Sequence, residues 1–119
     1  MKVTVGGAIE HVRTVIEDKR GANEEYQSNE ESRDCPNEER LEKYETRVEL
    51  LGDVIRTLEG IELSRELEEQ EFEWKKRALP KEMSGLIDLL NVATVLIRAD
   101  EGGGDDALDD VMSEMCDYE

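Results

Sequence analysis

Apolar positions in this chain recur mainly at spacings of three and four, the period of an α-helix, and hardly anywhere with period two. Val5, Ala8, Ile9, Val12, Val15 and Ile16 form the first stripe, with Thr4 placed to cap it. Gly6 and Gly7 weaken its opening turn, so a firm start is expected at Ala8. Lys19 and Arg20 complement the carbonyl end and Gly21 can stop it, which predicts a first helix over residues 5–20. Residues 21–37 then hold almost nothing apolar besides Ala22, Tyr26 and Cys35. They read as a long polar connection, helical in part through Ser32 and mobile without a partner.

Pro36 followed by Asn37 marks the next helix start. Leu41, Tyr44, Val48, Leu51, Ile55 and Leu58 then alternate at spacings of three and four, the a/d seam of a heptad pattern. Glu42, Glu45, Glu49, Arg56 and Glu59 fall on outward faces. At Gly60 the phase shifts to Ile61, Leu63 and Leu67, which predicts a kink or short break. The helix is expected to resume over Glu66–Arg77, with pairs Glu71–Lys75 and Glu73–Arg77 in the favourable order. Phe72 and Trp74 are its aromatic anchors, and Pro80 ends it at Ala78 or Leu79.

A third helix is read from Lys81 to about Ala99. Met83, Leu86, Ile87, Leu90, Ala93 and Ile97 make one stripe, and Leu89, Val92, Val95 and Leu96 carry apolar surface round most of the circumference. Such a helix is buried on several sides. It is either the centre of a small bundle or meets a second copy with its spare face. Gly102–Gly104 reads as a flexible joint, and Asp105 and Asp106 open a short last helix with Leu108, Val111, Met112 and Met115 on its stripe. No strand-like run extends beyond Lys2–Val5. The expected fold is all-α: one domain over residues 1–119, a bundle of three to four helices with a long kinked second helix and a central apolar third.

Charge sharpens this picture. The 119 residues carry 32 acids against 15 bases, a net charge of −17. Such an imbalance opposes compaction by self-repulsion and bears on solubility and partners rather than on fold. The opening residues lack the apolar core of a signal peptide. The longest apolar stretch, Leu86 to Ile97, is shorter than the ~18 residues of a membrane span and is interrupted by Asp88, Asn91 and Thr94. A cytoplasmic protein with no membrane partner is expected, in which Cys35 and Cys116 are reduced thiols; a disulfide between them is the alternative.

Candidate chemistry is sparse. Glu42, Glu45, Glu49 and Asp53 lie within three helical turns. The run Val48-Glu49-Leu50-Leu51-Gly52-Asp53-Val54 is similar to the metal-binding helix of all-α nucleotide pyrophosphatases related to MazG. That resemblance implies Mg²⁺ held between acid pairs. It covers seven residues, with Leu50 where the family has an inner acid, and the heptad phase turns Glu42, Glu45 and Glu49 towards solvent. His11 is the single histidine, and its spacing to Glu10, Cys35 and Cys116 fits no zinc pattern. Gly102–Gly104 precedes a helix start crowded by aspartates, which repel phosphate. The basic island Lys75, Lys76, Arg77 and Lys81 suits a helix end better than direct nucleic-acid binding. No catalytic residue, metal or cofactor is assigned, and the chain is read as non-enzymatic.

The acid clusters remain. A generally solvated surface and adaptation to salt are two readings of them, the second opposed by the excess of Glu over Asp, 22 against 10. The functional reading is a mimic of nucleic acid, with carboxylates on rigid helices occupying a basic cleft of a nucleic-acid-binding protein. Glu66, Glu68, Glu69, Glu71 and Glu73, with Asp105, Asp106, Asp109 and Asp110, are the partner-binding residues this predicts. The opening Thr4-Val5-Gly6-Gly7-Ala8-Ile9-Glu10-His11, the glutamate content, the charge and the small helical domain resemble, in type, acidic helical proteins that phages encode against host defences, including some anti-CRISPR proteins. That resemblance implies an inhibitor acting in the host cytoplasm. Self-association as a homodimer is expected through Leu41, Tyr44, Val48, Leu51, Ile55 and Leu58, or through Leu89, Val92 and Leu96. A self-assembling helical adaptor is the competing class.

Overall fold

Thr4 caps the first helix as its sequence position suggests, its hydroxyl accepting from the Gly7 amide at 3.0 Å. In the computed structural model, which describes residues 1–100 and 105–118, that helix does not stop at Gly21. α1 spans Val5–Glu31. Gly21 has no steric reason to leave the helix, and the residues after it are mostly good helix formers. Tertiary contacts complete the extension. Asn23 is 2% exposed and donates to the Lys19 carbonyl at 2.7 Å and to the Tyr118 hydroxyl at 3.3 Å. The expected polar connection therefore shrinks to the turn Ser32–Asn37.

α2 spans Glu38–Glu59, with the Asn37 side chain accepting from the Arg40 amide at 3.2 Å and Glu38 and Glu39 complementing the dipole. It ends at Gly60 rather than kinking there. The phase shift read in the sequence is a full break, followed by the short helix α3, Arg65–Glu68, capped by Ser64. The helix expected over Glu66–Arg77 is absent. In its place Glu71–Glu73 forms strand β2, antiparallel to β1, Lys2–Thr4, with Val3 opposite Phe72. Glu71-Phe72-Glu73-Trp74 alternates with period two, and the strand buries Trp74 while Glu71 and Glu73 stay exposed. The favourable charge pairs of a helix were outweighed by this burial. The Trp74 indole donates to the Ala78 carbonyl at 3.2 Å, closing the turn that carries the basic island.

α4 spans Met83–Ala99 and α5 Asp105–Asp117. Gly85 is required at the start of α4, because a Cβ there would lie 2.5 Å from the Pro80 ring. α1 packs on α2, α2 on α5, α5 on α4 and α4 on α1, so the four long helices form a closed ring. α4 is one wall of that ring and not its enclosed centre: Val92 and Val95 remain 36% and 64% exposed. Leu51, Ile55, Leu58 and Leu89, expected to meet a second copy, are buried in the chain's own core. Leu41, Val48 and Leu96 are half-buried, and Tyr44 lies against Tyr26 at 5.7 Å between ring centroids. The flexible joint expected at Gly102–Gly104 lies outside the described residues.

No member of the hydrophobic core falls between Ile16 and Leu51. The upper parts of α1 and α2 thus project beyond the four-helix ring as a hairpin arm. The shape reflects this: a radius of gyration of 16.1 Å and extents of 54 × 29 × 19 Å, against about 13–14 Å for a compact chain of this length.

Candidate interaction surface

The arm is held at two places. Tyr118, at the end of α5, braces its middle, meeting Asn23 and lying under the Arg47 guanidinium at 4.8 Å. At the turn, Glu30 is 6% exposed and accepts from the Asn37 amide at 2.9 Å and from Arg33 at 3.1 Å. Those bonds, the backbone amide foremost, hold its carboxyl below the usual carboxylate range.

One face of the α1–α2 hairpin is left open by the rest of the chain. Three cavities of about 450, 400 and 390 Å³ follow it, the first sharing Glu59 with the second, the second sharing Arg20, Gly52 and Arg56 with the third. They form one groove, and none of its lining residues comes from α4, α5 or either strand. Its walls carry Glu10, Glu17 and Glu24 from α1, Glu49, Asp53 and Glu59 from α2, and Glu68 from α3. Arg13, Arg20 and Arg56 offset three of these seven charges, leaving −4. Arg13 is bound by Glu10, by Glu17 at 2.8 Å and by Glu59 at 3.6 Å, and the Glu10 bond leads in holding its guanidinium more firmly protonated. Arg20 meets Glu24 at 3.4 Å and Arg56 pairs with Asp53. The lining is mostly polar, with half-buried Ile61 and Leu63 as an apolar patch at one end and half-buried Val48 at the other.

Close approach at the lower end depends on Gly6. A Cβ there would fall 2.3 Å from the Glu68 Cγ, so glycine is what lets α3 lie against the first turn of α1. At the middle, Gly21 has nothing within 4 Å of its Cβ position.

The sequence-predicted acids are divided by the fold. Glu68 lines the groove, and Glu69 lies beside it in a neighbouring cavity, paired with Arg65 at 3.3 Å. Glu66, Glu71 and Glu73 are exposed elsewhere on α3 and β2, and Glu73 pairs with the Met1 ammonium. Asp106 and Asp110 are exposed on α5, Asp109 is half-buried and pairs with Arg98, and the side chain of Asp105 lies outside the described residues. The glutamates lie at α3 and β2, which pack on α1 and β1, and the aspartates on α5, which packs on α2 and α4. What sequence reading missed is the recurrence of glutamate every seven residues: Glu10, Glu17, Glu24 and Glu31 on α1, and Glu38, Glu45 and Glu59 on α2 with Gly52 at the remaining place. Seven residues are close to two helical turns, so each series follows one edge of its helix.

The remaining candidates have structural roles or stand apart. His11 is half-buried and donates from Nε2 to the Pro80 carbonyl at 2.8 Å, tying the loop before α4 to α1. Cys35 and Cys116 are exposed free thiols. Glu42, Glu45 and Glu49 are exposed, and among the described residues no three histidine, cysteine or acidic side chains converge as metal ligands. No helix among the described residues is long and apolar enough to cross a membrane. Fold and surface together define the class: an elongated all-α protein, a four-helix ring bearing a hairpin arm and an acidic groove. No protein-family model, curated protein or solved structure matches the chain.

Proposed function

We propose that this chain is a non-enzymatic interaction protein that occupies a basic surface of a nucleic-acid-binding partner, an inhibitor of the type phages direct at host defences in the cytoplasm. The observation that supports it is the open groove: seven carboxylates, six on the two long helices α1 and α2 and one on α3, in excess of the three arginines among them. A surface built this way accelerates encounter with cationic clefts and competes with phosphate for them. The acids assigned to the contact are Glu17, Glu24, Glu59 and Glu68, in place of the scattered sets on β2 and α5.

The test is capture on the immobilised chain at low salt, elution at high salt, and competition of the eluted proteins' nucleic acid by free chain. Reversing Glu17, Glu24 and Glu59 to Lys should slow association and flatten its salt dependence. Unchanged capture by the triple variant, or eluted proteins that keep their nucleic acid, would count against the proposal. Val95, with 64% of its surface exposed on α4, favours a second reading as a self-associating adaptor. Light scattering after size exclusion separates a closed species from open assembly.

A further inference from the structure

Resting on that reading of the groove, we propose that its occupant is a basic amphipathic α-helix of the partner protein, laid along α1 and α2 as a third helix. The groove runs parallel to the hairpin from Gly6 to Glu24, about 27 Å of α1 at 1.5 Å per residue. That is the span of a helix of about eighteen residues. An extended peptide gains its affinity from a free strand edge, and neither strand lines this groove. A helix brings its backbone bonds already made and needs only side-chain contacts.

The apolar ends say where those contacts fall. Half-buried Ile61 and Leu63 lie at one end and Val48 at the other. From Val48 to Glu59, where the groove meets the lower patch, α2 rises about 16 Å. Apolar anchors on the occupant are therefore set about eleven residues apart, three turns on one face. Between them Gly21 leaves the α1 wall without a side chain, which lets a helix approach closely there, while the Arg20 guanidinium lies over Gly52, 3.4 Å from its Cβ position. The excess carboxylates select Lys and Arg along its flanks.

The probe is a synthetic eighteen-residue helix with leucines eleven positions apart on one face and Lys and Arg on the flanks. Its control has the same composition with the leucines dispersed round the helix. Fluorescence anisotropy at low salt should show the patterned peptide binding about tenfold tighter than the control. Gly21→Trp fills the middle of the groove without changing charge, and with helicity confirmed by circular dichroism it should remove that preference. Equal binding of the two peptides, or an undiminished preference in Gly21→Trp, overturns the helix-in-groove proposal while the acidic-surface reading stands. Binding of neither peptide overturns both.

Discussion

Gly21 separates a continuous α1 from a helix that stops at residue 20. As a C-terminal cap, a glycine takes the left-handed conformation, and alanine there costs about 1–2 kcal/mol. In the structure Gly21 is inside the helix, exposed, with nothing within 4 Å of the position its Cβ would take. Gly21→Ala should then stabilise by about 0.8–1.0 kcal/mol, because alanine loses less backbone entropy and meets no clash. For a chain of this size that is a rise of about 3–5 °C in Tm. The hairpin arm lies outside the core and can open by itself, so part of the gain is local. Hydrogen exchange of the amides at residues 24–31 should slow about four- to fivefold, alongside thermal and urea melts followed by circular dichroism. Gly6→Ala is the contrast. Its Cβ would press on the Glu68 Cγ at 2.3 Å and on that residue's carbonyl oxygen at 3.2 Å, and the expected loss is about 1–3 kcal/mol. A drop in Tm for Gly21→Ala with no change in exchange at residues 24–31 would refute the continuous helix.

Leu51→Ala removes a fully buried side chain from α2 and should lower stability by about 2–5 kcal/mol in a urea titration. Glu114 has its carboxyl pushed up by burial first, then by Asp53, Asp110 and Asp117, and its Oε2 is buried without a hydrogen-bond partner. Folding therefore favours its protonated form, and this contribution to stability is present at low pH and lost as pH rises through the raised value. Glu114→Gln should stabilise at neutral pH by about 0.5–2 kcal/mol, a gain that disappears in acid; melts across the pH range read it. Glu30 has the opposite sign. Its carboxyl is held low by the Asn37 amide and Arg33, so its contribution is present above the ordinary carboxylate range and lost as pH falls through the lowered value. Amide exchange in the Ser32–Asn37 turn should accelerate there in the native protein but not in Glu30→Gln, which has no carboxylate to titrate.

The helical class and most boundaries were legible because the signals were local. Thr4 and Asn37 both cap the helices their positions announced, and the stripe from Val5 to Ile16 and the Leu51–Leu58 part of the second stripe are the faces that pack in the core. Residues 21–31, legible only as partly helical, and residues 71–73, read as helix, differ from that reading for one reason: a tertiary partner decided them. Residues 21–31 lack an apolar stripe, and their helix is completed by the facing α2 and by Tyr118 at the end of α5. Residues 71–73 offer charge pairs to a helix, each worth about 0.3–0.5 kcal/mol on an exposed surface. Against that stands a strand that buries Trp74 and pairs with residues nearly seventy positions earlier, worth about 1.5–3 kcal/mol for a large side chain alone. No window of neighbouring residues contains Lys2–Thr4 and Glu71–Glu73 together.

The groove was hidden by the same error at Gly21. With the first helix ended at residue 20 and the connection beyond it read as helical only in part, Glu24 and Glu31 do not share a helix with Glu10 and Glu17, and two points show no row. Extended to Glu31, the series runs the length of α1, and the antiparallel turn brings the series on α2 alongside it. Helices paired for stability alone place opposite charges across their flanks. Here Arg13, Arg20 and Arg56 offset part of the acid on the open face, and they are consumed by ion pairs within it. The remaining repulsion opposes folding and is screened only as far as salt allows. It is concentrated on one face of a projecting arm, and the proposed basic occupant would relieve it. In the proposed reading, the pressure of a strongly acidic composition falls where partner binding, rather than the fold, gains from it.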